Sequence, residues 1–309
     1  MVKNIFITGG AGYIGCILVP MLLNSGYKVT VYDNLSYGGD GLMINFSNPN
    51  FTFIKGDIRD VELLHKSMKG HEAVIHLAAI VGYTACRKNE QKSYDVNHQG
   101  TLNVVNGLDG EQLLLYGSTG SNYGSIDGVC TEESPLKPLS IYGITKTLGE
   151  KEVMKYKNSV AFRFATAFGA SPRLRLDLLV NDLSYSAYMQ KYIAVYESHF
   201  MRTFIHVKDI ASVFKFAIEN NKKMSGEVYN VGSNSMNYSK GDVCKLIQSK
   251  SECYVHYADF DNDADKRDYV VSYDKIKSLG YDTTISVKEG IDELFDIFPV
   301  VSIQNKYRN

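Results

Sequence analysis

A tyrosine and a lysine four residues apart, Tyr142 and Lys146, are the pair of side chains in this sequence best suited to acid–base chemistry. Residues at this spacing share one face of a helix, so the lysine ammonium would lie near the phenol and favour its charged form. An unperturbed tyrosine titrates near pH 10, and bringing its pKa toward neutrality requires about 3 units, or roughly 4 kcal/mol. A tyrosine tuned in this way can take part in general acid–base catalysis.

The same spacing recurs as Tyr273 with Lys277, as chance allows in a chain with 22 tyrosines. Position along the chain separates the two pairs. Tyr142 follows a buried strand and the turn-rich stretch Gly117–Pro138, on a predicted helix that passes the strand ends. Tyr273 opens a short predicted helix and is expected to lie on the surface. We therefore assign the chemistry to Tyr142 and Lys146.

A hydroxyl group is expected close to this pair. Ser118 and Thr119 stand at the end of the predicted strand Gln112–Tyr116, which places a hydroxyl where it could bond a substrate oxygen. The other interpretation of Thr119 is a turn or capping hydroxyl, because serine and threonine side chains often bond nearby backbone groups.

A glycine-rich loop joins the first strand to the first helix. Ile5–Ile7 predict a short buried strand, because an apolar run that stops at glycines is typical of a strand covered on both faces. The helix Tyr13–Asn24 follows. Free N–H groups and the positive end of a helix dipole make such a loop a binding site for a pyrophosphate. The patterns G-x-G-x-x-G and G-x-x-G-x-x-G both fit, through Gly9, Gly10, Gly12 and Gly15.

An acidic residue ends the second predicted strand. Lys28–Tyr32 leads into Asp33, about twenty residues after the loop, where dinucleotide-binding folds place an acid that accepts hydrogen bonds from the adenosine ribose. A carboxylate there repels a 2′-phosphate, which favours NAD, whereas Lys28 and the loop after Asn34 are the features that would favour NADP. The alternative is a plain glycine turn with Asp33 facing solvent.

Strands and helices alternate along the first half of the chain. The predicted elements after Asp33 are a strand at Phe51–Ile54, a helix at Asp60–Met68, a strand at Ala73–His76, one long helix at Lys88–Leu108 and the strand Gln112–Tyr116. Such alternation predicts an α/β fold with a doubly wound parallel (Rossmann) sheet. Ligands of such sheets bind beyond the carboxyl ends of the strands. This rule puts Asp57 and Ile58 near an adenine and Ala78 and Ala79 near a ribose and nicotinamide, with turn and packing roles as the alternative.

The second half of the chain is expected to form a smaller lobe that binds the substrate. We divide the chain into an NAD-binding domain at residues 1–170 and a substrate-binding lobe at 171–309, with 203–235 returning to the first domain. Strands near Ser159–Phe164 and Val228–Asn230 are expected to join the sheet, and a helix at Val207–Asn220 to pack behind it. No internal repeat or linker interrupts this arrangement.

Composition narrows the class of partner. The chain has 309 residues, 33 basic and 34 acidic, and a formal charge of −1, which provides no overall field for nucleic acid or an anionic membrane. We recognise no signal peptide and no apolar run long enough to span a bilayer, so a soluble protein is expected. Five dispersed cysteines without a CxxC pair favour reduced thiols in the cytoplasm and argue against a metal site.

Several motifs together resemble the extended short-chain dehydrogenase/reductase family, in its nucleotide-sugar epimerase and dehydratase branch. They are TGGAGYIG at Thr8–Gly15, GDIRD at Gly56–Asp60, HLAA at His76–Ala79, STGSNYG at Ser118–Gly124 and YGITK at Tyr142–Lys146. The resemblance implies that Tyr142 is the catalytic base, that Lys146 holds the NAD ribose and tunes Tyr142, and that Thr119 helps to abstract the proton. The residues assigned to NAD are Gly9, Gly12, Tyr13, Ile14, Asp33, Asn34, Asp57, Ile58, Leu77, Ala78, Ala79, Tyr142 and Lys146.

The dehydratase reaction is not expected. The 4,6-dehydratases of this family carry an Asp-Glu pair directly after the hydroxyl residue, whereas this chain has Gly120 and Ser121. Neither residue is an acid or a base at neutral pH. What remains is transient or net oxidation at one carbinol carbon.

Arginines in the second half are candidates for holding a diphosphate by bidentate hydrogen bonds, with surface salt bridges as the alternative. The residues assigned to the substrate, besides Thr119, are Arg173, Arg175, Asn181, Arg202, Arg267 and Asp268. The resemblance implies that Arg202 and the Arg267–Asp268 element contact the phosphates and the nucleoside ribose. The chain looks closest to a subgroup with sugar 4-epimerases and a GDP-heptose 4-dehydrogenase, and Glu197–Phe200 departs from the glycine-rich turn of UDP-sugar epimerases.

We therefore predict NAD-dependent oxidation at C4 of a nucleotide-activated sugar, an NDP-hexose or NDP-heptose, with 4-epimerisation or 4-dehydrogenation as the net outcome. The alternatives are an NAD(P)H-dependent reductase of a 4-keto nucleotide sugar and a non-catalytic NAD(H)-binding regulatory module. The resemblance also implies a homodimer, formed through Lys88–Leu108 and the helix that bears Tyr142.

Overall fold

A parallel sheet of seven strands is the centre of the fold in a computed structural model, which describes residues 2–258 and 268–301. The strands of the described residues are β1 (Asn4–Thr8), β2 (Lys28–Asp33), β3 (Phe51–Lys55), β4 (Ala73–His76), β5 (Leu113–Thr119), β6 (Ser125–Cys130), β7 (Ser159–Phe164), β8 (Thr166–Phe168), β9 (Tyr192–Tyr196), β10 (Met201–His206), β11 (Glu227–Val231), β12 (Asn237–Ser239), β13 (Tyr254–Ala258) and β14 (Asp268–Val271). The α-helices are α1 (Gly15–Asn24), α2 (Val61–Met68), α3 (Tyr83–Lys88), α4 (Glu90–Tyr94), α5 (Gly100–Asn106), α6 (Ile141–Val153), α7 (Leu179–Gln190), α8 (Val207–Glu219), α9 (Asn221–Met224), α10 (Lys240–Lys250), α11 (Asp274–Ser278) and α12 (Val287–Ile297).

The strand order of the large sheet is β11-β7-β5-β4-β1-β2-β3, and neighbouring strands are parallel. The chain therefore winds outward from β1 in one direction through β2 and β3, and in the other through β4, β5, β7 and β11. The order reverses between β1 and β4, and a reversal of this kind opens a crevice at the carboxyl ends of the strands. This arrangement confirms the predicted doubly wound α/β sheet.

Both faces of the sheet carry apolar side chains, so a layer of helices covers each face. On one face, α1 and α8 bury residues such as Leu18, Leu22 and Phe214. On the other face, α2, α5 and α6 bury residues such as Leu64 and Val153. Burial of each large aliphatic or aromatic side chain contributes roughly 1.5–3 kcal/mol, so the two layers supply most of the cohesion of this part of the chain.

A separate apolar cluster holds the smaller lobe together. It joins α7, α10 and α12 to strands outside the large sheet, through residues such as Val180, Phe204, Val243 and Ile291. The remaining described strands form three small sheets, β12-β10-β8, β13-β9 and β14-β6. β11 and α8 lie with the large sheet, although they follow part of the lobe in sequence.

The segment predicted as one long helix at Lys88–Leu108 is broken in the structure, so that prediction was wrong in part. α3 ends at Lys88, and the Asn89 side chain accepts a hydrogen bond from the Lys92 N–H and begins a new helix. A π-helical turn at Asp95–Gln99 then separates α4 from α5. No helix in the described residues has the length and apolar character needed to cross a bilayer.

Candidate active site

One cavity of about 670 Å³ lies at the carboxyl ends of β1, β2, β4 and β5. It brings together most of the residues that the sequence assigned to cofactor and substrate. Those that line it are Gly9, Gly12, Tyr13, Ile14, Asp33, Asn34, Asp57, Ile58, Leu77, Ala78, Ala79, Thr119, Tyr142, Lys146, Arg173 and Arg175. Among the described residues, Asn181, Arg202 and Asp268 lie outside this lining, and Arg267 falls outside the described part of the chain.

The glycine-rich loop leaves a cradle for an anion at the start of α1. Gly9 has φ +74°, and a Cβ there would lie 2.5 Å from the Ala78 nitrogen, so only glycine lets the loop approach β4 so closely. In the described structure no side chain caps the start of α1, and the N–H groups of Cys16 and Leu18 bond the carbonyl oxygens of Gly12 and Ile14. An anion would therefore be met by the N–H groups just before them, those of Tyr13 and Ile14. This cradle fits the pyrophosphate of a dinucleotide.

Asp33 stands at the end of β2, on the cavity wall. Its two carboxylate oxygens accept hydrogen bonds from the backbone N–H groups of Ala11, at 3.0 Å, and Leu35, at 2.8 Å. Burial raises the pKa of Asp33, and the two N–H donors oppose that rise. The position fits the ribose hydroxyls of a dinucleotide, because a carboxylate accepts hydrogen bonds from them and repels a 2′-phosphate.

Asp57 is fixed in place by its neighbours. It pairs with Arg59 at 2.9 Å and also accepts a hydrogen bond from the Asn34 side chain. These hydrogen bonds hold the pKa of Asp57 well below its usual range. The hydrogen bond from Asn34 links the loops after β2 and β3 at the end of the cavity where an adenine was predicted.

Helix α6 carries Tyr142 and Lys146 to the cavity. It begins where the Ser140 hydroxyl accepts a hydrogen bond from the Gly143 N–H at 3.1 Å. Lys146 is 3% exposed, and its Nζ lies 3.9 Å from the centre of the Tyr116 ring. Burial lowers the pKa of Lys146 to about 7, although Glu150 and Cys86 favour its charged form. Tyr142 is only half-buried and lines the cavity beside it.

Helix α6 approaches the sheet closely at Gly149. A Cβ at Gly149 would lie 2.5 Å from the Tyr116 hydroxyl and 3.0 Å from the Asn97 carbonyl oxygen. The Asn97 side chain, in the π-helical turn, bonds both backbone groups of Ile80 and the hydroxyl of Thr145. It therefore ties α6 to the loop after β4. Sequence reasoning missed Asn97, because a π-helical turn has no distinct apolar period.

Thr119 lies at the end of β5, as predicted, and its hydroxyl is paired with a second hydroxyl. Its Oγ1 donates to the Ser121 Oγ at 3.1 Å and accepts a hydrogen bond from the Ser121 N–H at the same distance. Ser121 also lines the cavity. A Cβ at Gly120 would lie 3.2 Å from both the Phe164 carbonyl oxygen and the Tyr269 hydroxyl, so position 120 has little room for a side chain.

A buried ion pair supports this wall of the cavity. Glu150, one turn after Lys146, pairs with Arg163 of β7 at 2.7 Å, and both side chains are nearly inaccessible to solvent. The same carboxylate accepts hydrogen bonds from Ser118 at 2.6 Å and Asn122 at 3.0 Å. Sequence reasoning missed this network; the one available signal was the spacing of Glu150 four residues after Lys146 on the helix.

Two arginines reach the cavity from residues 169–177, which we call the arginine loop. The Arg173 guanidinium lies 4.6 Å from the centre of the Tyr37 ring, in the loop after β2. Arg175 pairs with Asp177 at 2.5 Å and is almost fully buried. Asn181 lies behind the loop, where its side-chain nitrogen donates to the Arg175 carbonyl oxygen at 2.8 Å.

Arg202 and Asp268 both bond the backbone of Met201, away from the cavity lining. Arg202 is 2% exposed and donates a hydrogen bond to the Met201 carbonyl oxygen. Asp268, at the start of β14, accepts a hydrogen bond from the Met201 N–H at 2.8 Å. The described residues contain no cluster of three side chains suited to hold a metal ion.

The prediction that Tyr273 lies on the surface was wrong. Tyr273 is 2% exposed, and its hydroxyl bonds the hydroxyl of Thr203. Lys277, its partner in the four-residue spacing, points to solvent and pairs with Asp282 at 2.8 Å. Tyr273 is buried because Gly232, directly after β11, has no side chain and so admits the tyrosine ring.

Comparison with known proteins agrees with this arrangement. The model of the NAD dependent epimerase/dehydratase family matches residues 5–232. A UDP-glucose 4-epimerase of Corynebacterium glutamicum is 28% identical over 266 residues, 79% of each chain. Two solved structures share the fold. A UDP-glucuronic acid 4-epimerase of Bacillus cereus, in complex with UDP-glucuronic acid and NAD, is 26% identical with a TM-score of 0.83, over 95% of this chain and 98% of its own. A dTDP-glucose 4,6-dehydratase of Bacillus anthracis, in complex with NAD, is 25% identical with a TM-score of 0.82, over 96% of each chain.

Proposed function

The chain belongs to the NAD-dependent epimerase/dehydratase family, in the nucleotide-sugar branch of the extended short-chain dehydrogenases/reductases, and from that premise we propose that it oxidises C4 of a nucleotide-activated sugar, with 4-epimerisation as the net outcome. The observation that carries the proposal is the meeting of Thr119, Tyr142 and the buried Lys146 in the cavity that also contains the glycine-rich loop.

The residues present fit NAD. Gly9, Gly12 and the first turn of α1 would hold the pyrophosphate, Asp33 the adenosine ribose, and Lys146 the nicotinamide ribose. When bound, NAD supplies the acceptor for the hydride that leaves the carbinol carbon. The protein residues take the proton from the oxygen of the same carbinol, and for epimerisation they would return it when hydride comes back to the opposite face of the 4-keto sugar.

Tyr142 is the base in this proposal. Its phenolate accepts the proton of the C4 hydroxyl, and the charge of Lys146, on the same face of α6, favours the phenolate before that transfer. The C4 hydroxyl gives its only proton to the phenolate, so Thr119 acts as a donor: its hydroxyl, which bonds the Ser121 Oγ, would rotate to donate to the C4 oxygen. The two side chains would thereby hold the reacting hydroxyl from two sides.

Two observations favour oxidation at C4 without dehydration. A dehydratase needs an acid and a base next to the hydroxyl residue, and this chain has Gly120 and Ser121 there. Position 120 is also closed by the Phe164 carbonyl and the Tyr269 hydroxyl. The 4-epimerases among the similar proteins support the same net outcome.

The substrate is proposed to carry a nucleoside diphosphate. Arg173 and Arg175 bring two guanidinium groups to the cavity, and planar guanidinium groups suit bidentate contact with phosphate oxygens. Asn181 supports them from behind, by holding the arginine loop. Arg202, Arg267 and Asp268 remain proposed contacts of the nucleotide that rest on the family resemblance.

Two measurements test the reaction. Mass spectrometry of the small molecules released by denatured protein identifies the bound cofactor. The absorbance of reduced nicotinamide is then followed while UDP-, GDP-, CDP- and dTDP-sugars are added. An isomeric product with no accumulation of NADH is expected for a 4-epimerase. NADH formed in an amount equal to the sugar consumed, with a product lighter by two hydrogens, would show that the net reaction is 4-dehydrogenation and not epimerisation. Absence of both cofactor and turnover would overturn the proposal.

We also propose a homodimer formed through the α4–α5 segment and α6, as the family resemblance implies. These helices pack side by side behind the site, and a second copy would extend their packing into a four-helix arrangement. Equilibrium sedimentation at micromolar concentration is expected to give twice the chain mass. A monomer under those conditions would contradict this proposal.

A further inference from the structure

The arginine loop is bonded directly to the glycine-rich loop, although the two lie far apart in sequence. The Tyr13 hydroxyl donates to the Gly169 carbonyl oxygen at 2.7 Å. The Ser171 hydroxyl donates to the Tyr13 carbonyl oxygen at 2.8 Å. Tyr13 is 6% exposed and belongs to the turn that would hold the cofactor pyrophosphate. A single residue of the cofactor loop is therefore joined to the arginine loop by both its side chain and its backbone.

The other side of the arginine loop is bonded to the smaller lobe. The Asn181 side chain accepts from the Gly169 N–H at 2.9 Å, and the Glu293 carboxylate accepts from the Ala170 N–H at 3.2 Å. Gly169 has φ +103°, and a Cβ at this position would collide with the His206 ring. The start of the loop is thus held between two parts of the protein, and Tyr13 is its contact on the cofactor side.

We propose that Tyr13 is a positioning residue that couples two anion sites, so that a dinucleotide on the glycine-rich loop and a nucleoside diphosphate on the arginine loop each tighten the binding of the other. An anion on the N–H groups beside Tyr13 restricts that turn, and the two hydrogen bonds carry the restriction to Gly169 and Ser171. Arg173 and Arg175 follow within the same loop. The inference rests on the proposed function in taking the second ligand to be a nucleoside diphosphate.

Coupling of this kind is reciprocal, because the factor by which one ligand changes the affinity of the other is the same in both directions. It can therefore be measured on either ligand without any turnover. We choose the affinity for NADH, followed by nicotinamide fluorescence, with and without saturating UDP, GDP, CDP or dTDP.

In the wild-type protein, at least one nucleoside diphosphate is expected to tighten NADH binding about 5- to 10-fold, within the range typical of coupled sites. Tyr13→Phe removes only the hydroxyl and is expected to reduce this factor to less than about 2. Ser171→Ala removes the other bond and should give an intermediate factor. Tyr156→Phe is the matched control, because the Tyr156 hydroxyl also donates to a backbone carbonyl, that of Gln112, at 2.7 Å but away from the cavity.

Two outcomes would overturn the inference: wild-type protein whose NADH affinity no nucleoside diphosphate alters, or a Tyr13→Phe variant that keeps the wild-type factor. Loss of coupling in Tyr156→Phe as well would also overturn it, since the effect would then reflect general loosening of the fold. Failure of the proposed function is seen separately, as absence of sugar turnover by wild-type protein. Coupling between the two ligands can be present or absent whichever way that turnover experiment ends.

Discussion

The two Tyr-x-x-x-Lys pairs of this chain have the same spacing and opposite burial. In the first, Lys146 is 3% exposed and Tyr142 lines the cavity. In the second, Tyr273 is 2% exposed, whereas the Lys277 side chain is 61% exposed and pairs with Asp282. Tyr142 and Lys146 both lie within α6, whereas Tyr273 precedes α11 and only Lys277 lies in it, so the second pair does not share a helix face. Only the first pair combines a lysine shielded from water with a phenol on the cavity wall, and an ammonium in such surroundings acts on the phenol with little screening by water.

The surroundings of the two pairs explain the difference. α6 crosses the carboxyl ends of the central strands, where Tyr116 and Cys86 enclose Lys146 and the cavity leaves the phenol accessible. α11 lies beside β11 instead, and the ring of Tyr273 fills the space over Gly232. One local pattern therefore serves packing at Tyr273 and, in the function we propose, catalysis at Tyr142.

The largest expected effect separates the two tyrosines. Tyr142→Phe should lower kcat about 10²- to 10⁴-fold, the range typical of losing a general base, with the fold intact. Tyr273→Phe should leave kcat within about twofold and lower the free energy of unfolding by about 1 kcal/mol, since Thr203 loses a buried partner. Steady-state kinetics and urea denaturation measure both. Equal loss of kcat in the two variants would abolish the distinction.

The second prediction concerns the two lysines and pH. Folding lowers the pKa of Lys146 from 10.5 to about 7, so the unfolded chain binds more protons between those values and wild-type stability rises with pH there. Relative to Lys146→Met, the wild-type free energy of unfolding should gain about 2 kcal/mol between about pH 7 and pH 9. Denaturation at several pH values measures this difference.

Lys277→Met is the matched control for this experiment, because Lys277 lies in solvent and the same substitution removes a charge that water already screens. Its pH dependence should follow that of wild type. If the free energy of unfolding of Lys146→Met rises with pH as steeply as that of wild type, the buried lysine is not the source of the pH dependence.

A third prediction tests the close approach of α6 to the sheet. Gly149→Ala places a methyl group against the Tyr116 hydroxyl and the Asn97 carbonyl, so overpacking should cost about 1–3 kcal/mol and weaken NADH binding by displacing the adjacent turn with Lys146. Gly280→Ala, after α11, meets no described atom within 4 Å, but the φ of +92° at Gly280 strains any other residue, so this variant should lose stability and keep its NADH affinity. Fluorescence titration of NADH distinguishes the two variants, and thermal unfolding shows the loss of stability in both. Unchanged NADH affinity in Gly149→Ala would contradict the proposed role of this contact.

The smallest expected effect lies at the start of α6. Ser140→Ala removes the hydroxyl that caps the helix at the Gly143 N–H and should lower the free energy of unfolding by about 1 kcal/mol. Ser140→Asp should restore most of that loss, because aspartate is an equally good capping residue. The Tyr273 side chain makes no such capping bond in the described structure of α11. Full stability of Ser140→Ala would show that packing alone holds α6.

Local patterns predicted much of the cofactor half of the site. The strand, glycine turn and helix around Gly9 and Gly12 are contiguous, and the acid at Asp33 follows at the expected distance, so each signal lies within one short stretch. The strand-end rule then placed Asp57, Ala78 and Ala79 on the same cavity without any knowledge of their contacts.

The contacts between distant segments could not be predicted in this way. Tyr13 was assigned to the cofactor, but its hydrogen bond to Gly169 joins residues 156 positions apart. Arg173 and Arg175 reach the cavity whereas Arg202 does not line it, although all three looked alike as basic residues near apolar elements. Ser121 was considered only as the absence of an acid, and its bond to Thr119 depends on the turn that follows β5.

The sequence by itself determined the alternation of strands and helices in the first half of the chain, the parallel sheet, the glycine turn and the preference for NAD, because periodicity, glycine turns and a strand-end acid act over a few residues. Only the tertiary structure decided which tyrosine–lysine pair has a buried lysine, and that Tyr13 holds the arginine loop. The physical reason is that desolvation of a side chain is the sum of all atoms packed around it, and at Lys146 those atoms come from α3, β5 and α6.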